Sequence, residues 1–443
     1  MNTPVADFVK RYIERDTVRL HMPGHKGKPF LGCEAWDITE VKGADALFEA
    51  EGILAQSEEN ATALFGSRRT CYSTEGSSHC IRAMLYLALT NRPAGASPTV
   101  VAARNVHRAF VSAAALLDLN VEWLWPEESH SLCGCPVTPE ALDRKLSTLP
   151  SPPAAVYLTS PDYLGGMAEL PALAEVCHHH GTLLVVDNAH GAYLHFLEPS
   201  LHPLDLGADL CCDSAHKTLP VLTGGAYLHI SKSAPRGIEE YAKTALALFG
   251  STSPSYLTLC SLDLCNRYLA GEYQDQLRET ISRLKRMKAQ LNDLGWQVEE
   301  SDPLRVTLRA SQGATGQELV EQLRQAGVEC EYADRDFLVL MATPENTPQE
   351  LEQVLTALGR NQSPNAAPPS LPLVKGKRVC SIRQALFSPH QLIPVQETLG
   401  RICAAPTVGC PPAVPIVVAG EEIGPEALEL FRYYDVSTVD VLK

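Results

Sequence analysis

Residues Ala208 to Ile230 read A-D-L-C-C-D-S-A-H-K-T-L-P-V-L-T-G-G-A-Y-L-H-I. A short apolar run closes on Asp213-Ser214, a His-Lys pair precedes a turn broken by Pro and Gly, and a second apolar run fills Ala226 to Ile230. The pattern predicts two buried strands joined by a polar turn. At such a strand end Lys217 is expected to be partly desolvated, which lowers an ammonium pKa and frees an amine able to condense with a carbonyl. Upstream, T-L-L-V-V-D-N-A-H-G from Thr182 to Gly191 predicts a strand that runs out at Asp187. An amine and a carboxylate on two strand ends are what pyridoxal phosphate requires: a lysine for its aldehyde and an acid to keep its ring nitrogen protonated. The pair alone does not decide the matter. A lysine after a strand is more often solvated, and an aspartate there more often forms a turn or caps a helix.

The whole chain narrows the field. Its 443 residues exceed one core's comfortable size and predict two or three domains, and 45% hydrophobic with 20% charged residues is ordinary for a soluble enzyme. A net charge of -15, from 37 basic against 52 acidic residues, disfavours nucleic acid and anionic membranes as partners and suits a small basic ligand. The N-terminus lacks the apolar core of a signal peptide and no later run reaches membrane-spanning length, so a cytoplasmic location is expected. The 14 cysteines are scattered, many within apolar runs, and read as small buried hydrophobes. Cys133-Gly-Cys135 and His178-His179-His180 lack paired ligand spacing, so no metal site is expected; the histidines end a helix before Gly181.

From residue 54 helices and strands alternate. Strands are expected at Thr70–Ser73, Thr99–Ala103, Val121–Trp125, Ala154–Thr159 and from Thr182, with helices between them. This predicts an α/β fold with a mostly parallel sheet and ligand chemistry at the strand ends. Leu257–Leu294 reads as largely helical. A β-β-α-β-β-α region follows, with strands at Trp296–Glu299, Leu304–Leu308, Val328–Tyr332 and Phe337–Met341. A Pro-rich linker comes next. The expected division is an N-terminal arm and loop over 1–50, a large cofactor-binding domain over 51–275, a small α/β domain over 276–360, a linker over 361–374 and a C-terminal domain over 375–443.

More chemistry sits on the strand ends. S-T-E-G-S-S-H, Ser73 to His79, puts Gly76 and the hydroxyls and amides of Ser77 and Ser78 at a helix start, a ready phosphate site. A-A-R-N-V-H-R-A-F, Ala102 to Phe110, places His107 where an imidazole can stack on a flat ring. Neither signal is specific alone, since Ser and His commonly cap helices. No dinucleotide fingerprint, Walker loop, Gly-x-Ser-x-Gly elbow or His-Glu-x-x-His occurs, which lowers the dehydrogenase, ATPase, esterase and zincin alternatives.

H-M-P-G-H-K-G (His21–Gly27), E-G-S-S-H, R-N-V-H-R, D-N-A-H-G, D-S-A-H-K-T-L-P, S-T-S-P-S-Y-L-T-L-C-S-L-D (Ser251–Asp263) and C-P-P-A-V-P-I-V-V-A-G-E-E-I (Cys410–Ile423) stand in order along the chain. Together they resemble the ornithine/lysine/arginine decarboxylase family, in the short form without an N-terminal wing domain. The resemblance implies the aspartate aminotransferase-like fold (pyridoxal phosphate fold type I) and decarboxylation of a basic L-amino acid. Arginine is the first expectation, then lysine or ornithine, giving agmatine, cadaverine or putrescine. It further implies that Lys217 holds pyridoxal 5'-phosphate, Asp187 pairs with the ring nitrogen, and His107 and Ala189 pack on the two ring faces. Gly76, Ser77, Ser78, Ser214 and His216 would hold the phosphate. His216 or Lys217 would return a proton to substrate. A homodimer is implied, with Thr252 or Ser253 reaching the phosphate of the partner. Asp37, Glu40, Asp45 and Glu421 are the candidates for reading the substrate's distal charge. Four positions at three places depart from the family pattern: Arg108-Ala109 after the stacking histidine, Gly224 where Gln is frequent, and Ala413 for Gly. Another reaction of the same fold, transamination or lyase chemistry, and a silent cofactor-binding paralogue remain open at this stage.

Overall fold

The computed structural model describes residues 1–92, 95–405 and 412–443. Seven strands carry the first alternation: Arg69–Ser73 (β1), Thr99–Ala103 (β2), Asn120–Leu124 (β3), Ala155–Thr159 (β4), Leu183–Asp187 (β5), Leu210–Asp213 (β6) and Ala226–Ile230 (β7). The chain divides into two compact units, Met1–Ala94 with Leu170–Gln276, and Gly95–Glu169 with Leu277–Lys443.

In the first unit the strands lie in the order β1-β7-β6-β5. β5 and β6 are parallel, with Asp187 opposite Cys212, whereas β7 runs antiparallel to both β6 and β1. The reversal at β7 has a local cause. A parallel return needs a crossover built on a substantial helix, and the connection from Ser214 to Gly225 holds only the single turn Ala215–Thr218. Thus the two strands expected around Lys217 form, and a one-turn helix replaces part of the expected polar turn. Every residue of β5 is buried, as a strand covered on both faces requires of an apolar run. Helix Leu170–His179 stops before Gly181, whose φ of +66° suits a helix end.

The second unit holds β4, β2 and β3 in that order, with β2 parallel to both neighbours. It also holds a four-stranded antiparallel sheet, β10-β11-β9-β8, from Gln297–Val298 (β8), Arg305–Arg309 (β9), Tyr332–Ala333 (β10) and Phe337–Met341 (β11). The strand expected over Val328–Tyr332 is shorter because the Val328 amide instead closes the preceding helix, donating to Leu323 O at 2.9 Å. Helices Gly316–Gln325 and Pro348–Leu358 begin with reciprocal caps, Thr315 with Glu318 and Thr347 with Glu350, which satisfy amides the helix leaves open. Nearer the C-terminus, His390–Pro394 (β12) pairs antiparallel with Thr438–Leu442 (β13), a ladder the sequence reading did not contain. Their buried side packs with Val395, Cys403, Ile423 and Phe431 of the helix Pro425–Tyr433.

Cys410 and Pro411 of the C-terminal motif lie outside the described residues. Ala413 is fully buried at φ +57°, and its carbonyl accepts from the Arg108 amide at 2.9 Å. The left-handed turn that a glycine would adopt freely is therefore kept by an alanine, at a cost of about 1 kcal/mol. Among the described residues no helix is long and apolar enough to cross a membrane.

Candidate active site

β5 and β6 end side by side, and the first unit gathers most of the expected residues there. Asp187 closes β5 and is 2% exposed; its Oδ1 accepts from the Ala189 amide at 3.2 Å and lies 3.7 Å from Cys212 Sγ. Lys217 stands in the helical turn after β6 with Nζ 2.6 Å from Nε2 of His190. An ammonium and an imidazolium would have two hydrogens aimed at each other at that distance, so at least one of the pair is neutral. His190 is buried and was not singled out from sequence, although D-N-A-H-G places it three residues past Asp187.

Across from them, Gly76 heads helix Ser77–Thr90 at φ +72° with open space where a Cβ would stand. The helix start leaves backbone amides unpaired within the helix, and the Ser214 hydroxyl donates to Ser77 Oγ at 2.8 Å, bringing two hydroxyls together beside them. Ser78 and Ala189 are half-buried. Gly224 has a steric reason. Its carbonyl accepts from the Gly76 amide at 2.7 Å, its φ is +96°, and a Cβ would meet Thr74 O at 2.5 Å, so no side chain fits. His216 has Nδ1 3.0 Å from the Gly225 carbonyl, which can only accept, so Nδ1 carries a hydrogen. Thr252 and Ser253 are exposed on the loop before helix Tyr256–Leu269.

This donor set fits pyridoxal phosphate: a lysine amine, a buried carboxylate, and a helix start with serine hydroxyls. Two further atoms agree with a polar ligand space. Asn188 Oδ1, next to Asp187, and Thr218 Oγ1, next to Lys217, are buried without a hydrogen-bond partner among the described residues. Such orphans are uncommon in a finished core.

His107 lies in the second unit, where it caps helix Arg108–Leu116 by accepting from the Ala109 amide at 3.1 Å. Of the proposed distal-charge readers, Asp45 is committed to structure, accepting from the amides of Ala46, Glu51, Gly52 and Leu54 at the start of helix Ile53–Leu64. Asp37 holds His25 of the H-M-P-G-H-K-G loop at 3.1 Å, and Glu40 is exposed. Glu421, in the second unit, accepts from the Val418 amide and lies 3.6 Å from Arg104; burial pushes its carboxyl up while that arginine pulls it back. It borders a cavity of about 660 Å³ with Trp123, Trp125 and Arg378, and none of the cofactor residues expected from sequence lines that cavity.

Of the two motifs weighed for metal, Cys133 and Cys135 bond within their own unit, and His178 pairs with Asp209 at 3.0 Å. The structure instead brings together two groups not foreseen, His195/His202/Asp205 and His202/Cys211/Asp213.

The family description "Orn/Lys/Arg decarboxylase, major domain" matches residues 3–310. The chain belongs to this family. It is therefore a pyridoxal-phosphate-dependent decarboxylase of the basic amino-acid group. Similar curated proteins include an arginine decarboxylase of Bacillus subtilis, 27% identical over 98% of this chain and 94% of that protein. An arginine decarboxylase of Halalkalibacterium halodurans is 26% identical over 97% and 93% of the two chains. Among solved structures, the lysine decarboxylase of Francisella novicida superposes with a TM-score of 0.80 at 16% identity, covering 100% of this chain and 81% of that one. Serine palmitoyltransferase of Sphingomonas wittichii superposes at 0.57 with 16% identity, over 81% and 82%, which extends the likeness to fold type I at large.

Proposed function

We propose that this decarboxylase acts on arginine, releasing agmatine and CO2 and so feeding polyamine synthesis. The observation that carries the substrate is the match to curated arginine decarboxylases along nearly the full length of both chains. Lysine and ornithine are the competing substrates. We further propose that the protein works in the cytoplasm as a homodimer, with the domain division given under Sequence analysis.

The residue roles belong to the same proposal. Lys217 holds the cofactor, Asp187 keeps the proton on its ring nitrogen, and His107 and Ala189 flank the ring. Gly76, Ser77, Ser78, Ser214 and His216 bind the phosphate, joined by Thr252 of a second copy. When bound, the cofactor supplies a ring that accepts the electron pair left as the bond from Cα to the carboxylate breaks. Asp187 keeps that ring electron-poor through its carboxylate. Lys217 Nζ, 2.6 Å from His190 Nε2, would give the proton that replaces the carboxylate at Cα and be reprotonated from solvent; His216 is the other candidate donor. Selection of the bond to break would rest on how the residues around Lys217 orient the substrate carboxylate, a task of orientation rather than of acid-base strength.

The test is CO2 release from arginine, lysine and ornithine by the cofactor-loaded protein, with K217A as control. The expected result is release from arginine at the highest kcat/KM and loss of the visible absorption band in K217A. Preference for lysine or ornithine would overturn the substrate. Amine transfer to a keto acid without CO2 would overturn the reaction.

A further inference from the structure

Asp213 closes β6 four residues before Lys217, has no exposed surface, and takes no part in the roles above. Its Oδ2 lies 3.1 Å from Nε2 of His202 and 3.1 Å from Nε2 of His229, and its Oδ1 accepts from Asn188 Nδ2 at 2.6 Å. The outer partners set the tautomers. His202 Nδ1 accepts from the Leu204 amide at 3.3 Å, so Nε2 carries the hydrogen that faces Asp213. His229 Nδ1 lies 2.8 Å from the Thr70 hydroxyl, which is itself 2.8 Å from Ser67 Oγ. Burial holds His229 below the usual imidazole range, so Thr70 donates to Nδ1 and Nε2 donates to Asp213. Two imidazoles and an amide thus donate to one carboxylate.

Among the described residues, the hydrogen-bond and ion-pair partners of Asp213 are His202, His229 and Asn188. Cys211 and Cys212 on β6, Cys80 on helix Ser77–Thr90 and the Tyr227 phenol on β7 are all pushed up by burial and stay neutral. Beyond burial, which is the largest cause, both Asp213 and Asp187 help to raise Cys80 and Cys212, so one buried patch borders both carboxylates. Asp205, farther out, is occupied by His195 at 2.7 Å.

We propose that Asp213 is a positioning residue of the cofactor site: through Asn188 it ties the end of β5 to the end of β6, and its negative charge raises the proton affinity of the groups held there. The inference rests on the cofactor reading above. Asn188 stands between Asp187 and Ala189, and its own amide donates to Cys212 O at 3.0 Å, so the Asp213 contact is a second clasp at the same strand ends. Ser214, the next residue, reaches Ser77 of the phosphate loop. A negative charge near a proton-binding nitrogen favours its protonated form.

Purified full-length protein is titrated with pyridoxal 5'-phosphate, and the visible band of the loaded protein is followed against pH. D213N keeps the shape and removes the charge; its band midpoint is expected about one pH unit below that of the wild type. N188A keeps the charge and cuts the clasp; its cofactor Kd is expected to rise about tenfold with the midpoint unmoved. An unshifted midpoint in folded D213N overturns the charge role, and an unchanged Kd in N188A overturns the clasp. If D213N does not fold by circular dichroism, D213N/H229Q is read in its place, because the glutamine carbonyl can accept from the new amide and close a neutral network. Failure of the wild type to bind the cofactor would sink the cofactor reading itself, a separate outcome from either of these.

Discussion

Asp213 and Asp263 are both aspartates of the first unit with no exposed surface, and the protein drives them in opposite directions. Asp263, on helix Tyr256–Leu269, accepts from the amides of Val5 and Ala6 at 3.0 and 2.9 Å and from Ser57 Oγ at 2.6 Å. It thereby satisfies the first turn of the N-terminal helix Pro4–Glu14, which has no side-chain cap of its own. Burial pushes its carboxyl up to about 6, helped by the nearby charge of Asp7 and opposed by those three bonds. Burial pushes Asp213 up as well, but His202 and His229 outweigh it and hold that carboxyl well below the usual range. Each aspartate has donors from three residues, so the number of hydrogen bonds does not decide the outcome. The neighbours do: imidazoles around one, another acid beside the other.

The sharpest way to break this contrast is D213A, which leaves two imidazole N–H groups and an amide facing an apolar methyl. A loss of about 3–5 kcal/mol in urea unfolding at pH 7 is expected, and a loss below about 1 kcal/mol would mean the carboxylate is not the anchor it looks to be. The next effect is in the pH dependence of stability. Asp263 has a folded pKa above its unfolded value, so its contribution is fully present below about pH 4 and is lost as pH rises through about 6. Asp213 has the opposite sign: its contribution is present above the unfolded value and is lost only as pH falls through its depressed folded value. D263N should therefore erase a decline of about 2 kcal/mol between pH 4 and pH 7 that the wild type shows, leaving the acid limb in place. S57A removes one donor from Asp263 and should cost about 1 kcal/mol at pH 7 while moving that decline to higher pH. The smallest change is T70V, which takes the hydroxyl from His229 Nδ1. It should cost about 0.5–1 kcal/mol, without the pH shift seen in S57A.

Much of the candidate site was legible because its signals are local. Asp187 and Lys217 stand where apolar runs stop, and Gly76, Ser77 and Ser78 stand between a strand and a helix. His107 was marked by the same strand-to-helix boundary and does cap a helix. Gly224 was noted as a departure, and its reason emerged only from the approach of Thr74 O, a contact across the sheet from another strand's loop. His190 was written in the very motif used to find Asp187. Nothing in the spacing said that its ring would meet the lysine nitrogen.

Composition and periodicity by themselves determined the order of strands and helices as far as Leu358, the strand ends that carry the candidate site, and, through motifs standing in sequence, the family. These are properties of residues close together in the chain, where backbone preference and side-chain alternation act directly. Tertiary structure alone decided that β7 pairs with β1 and that β12 finds β13. It also decided that Asp213 meets His202, His229 and Asn188 from three separate segments. Those pairings depend on which distant surfaces come together when the apolar faces are buried, and no local pattern encodes the partner.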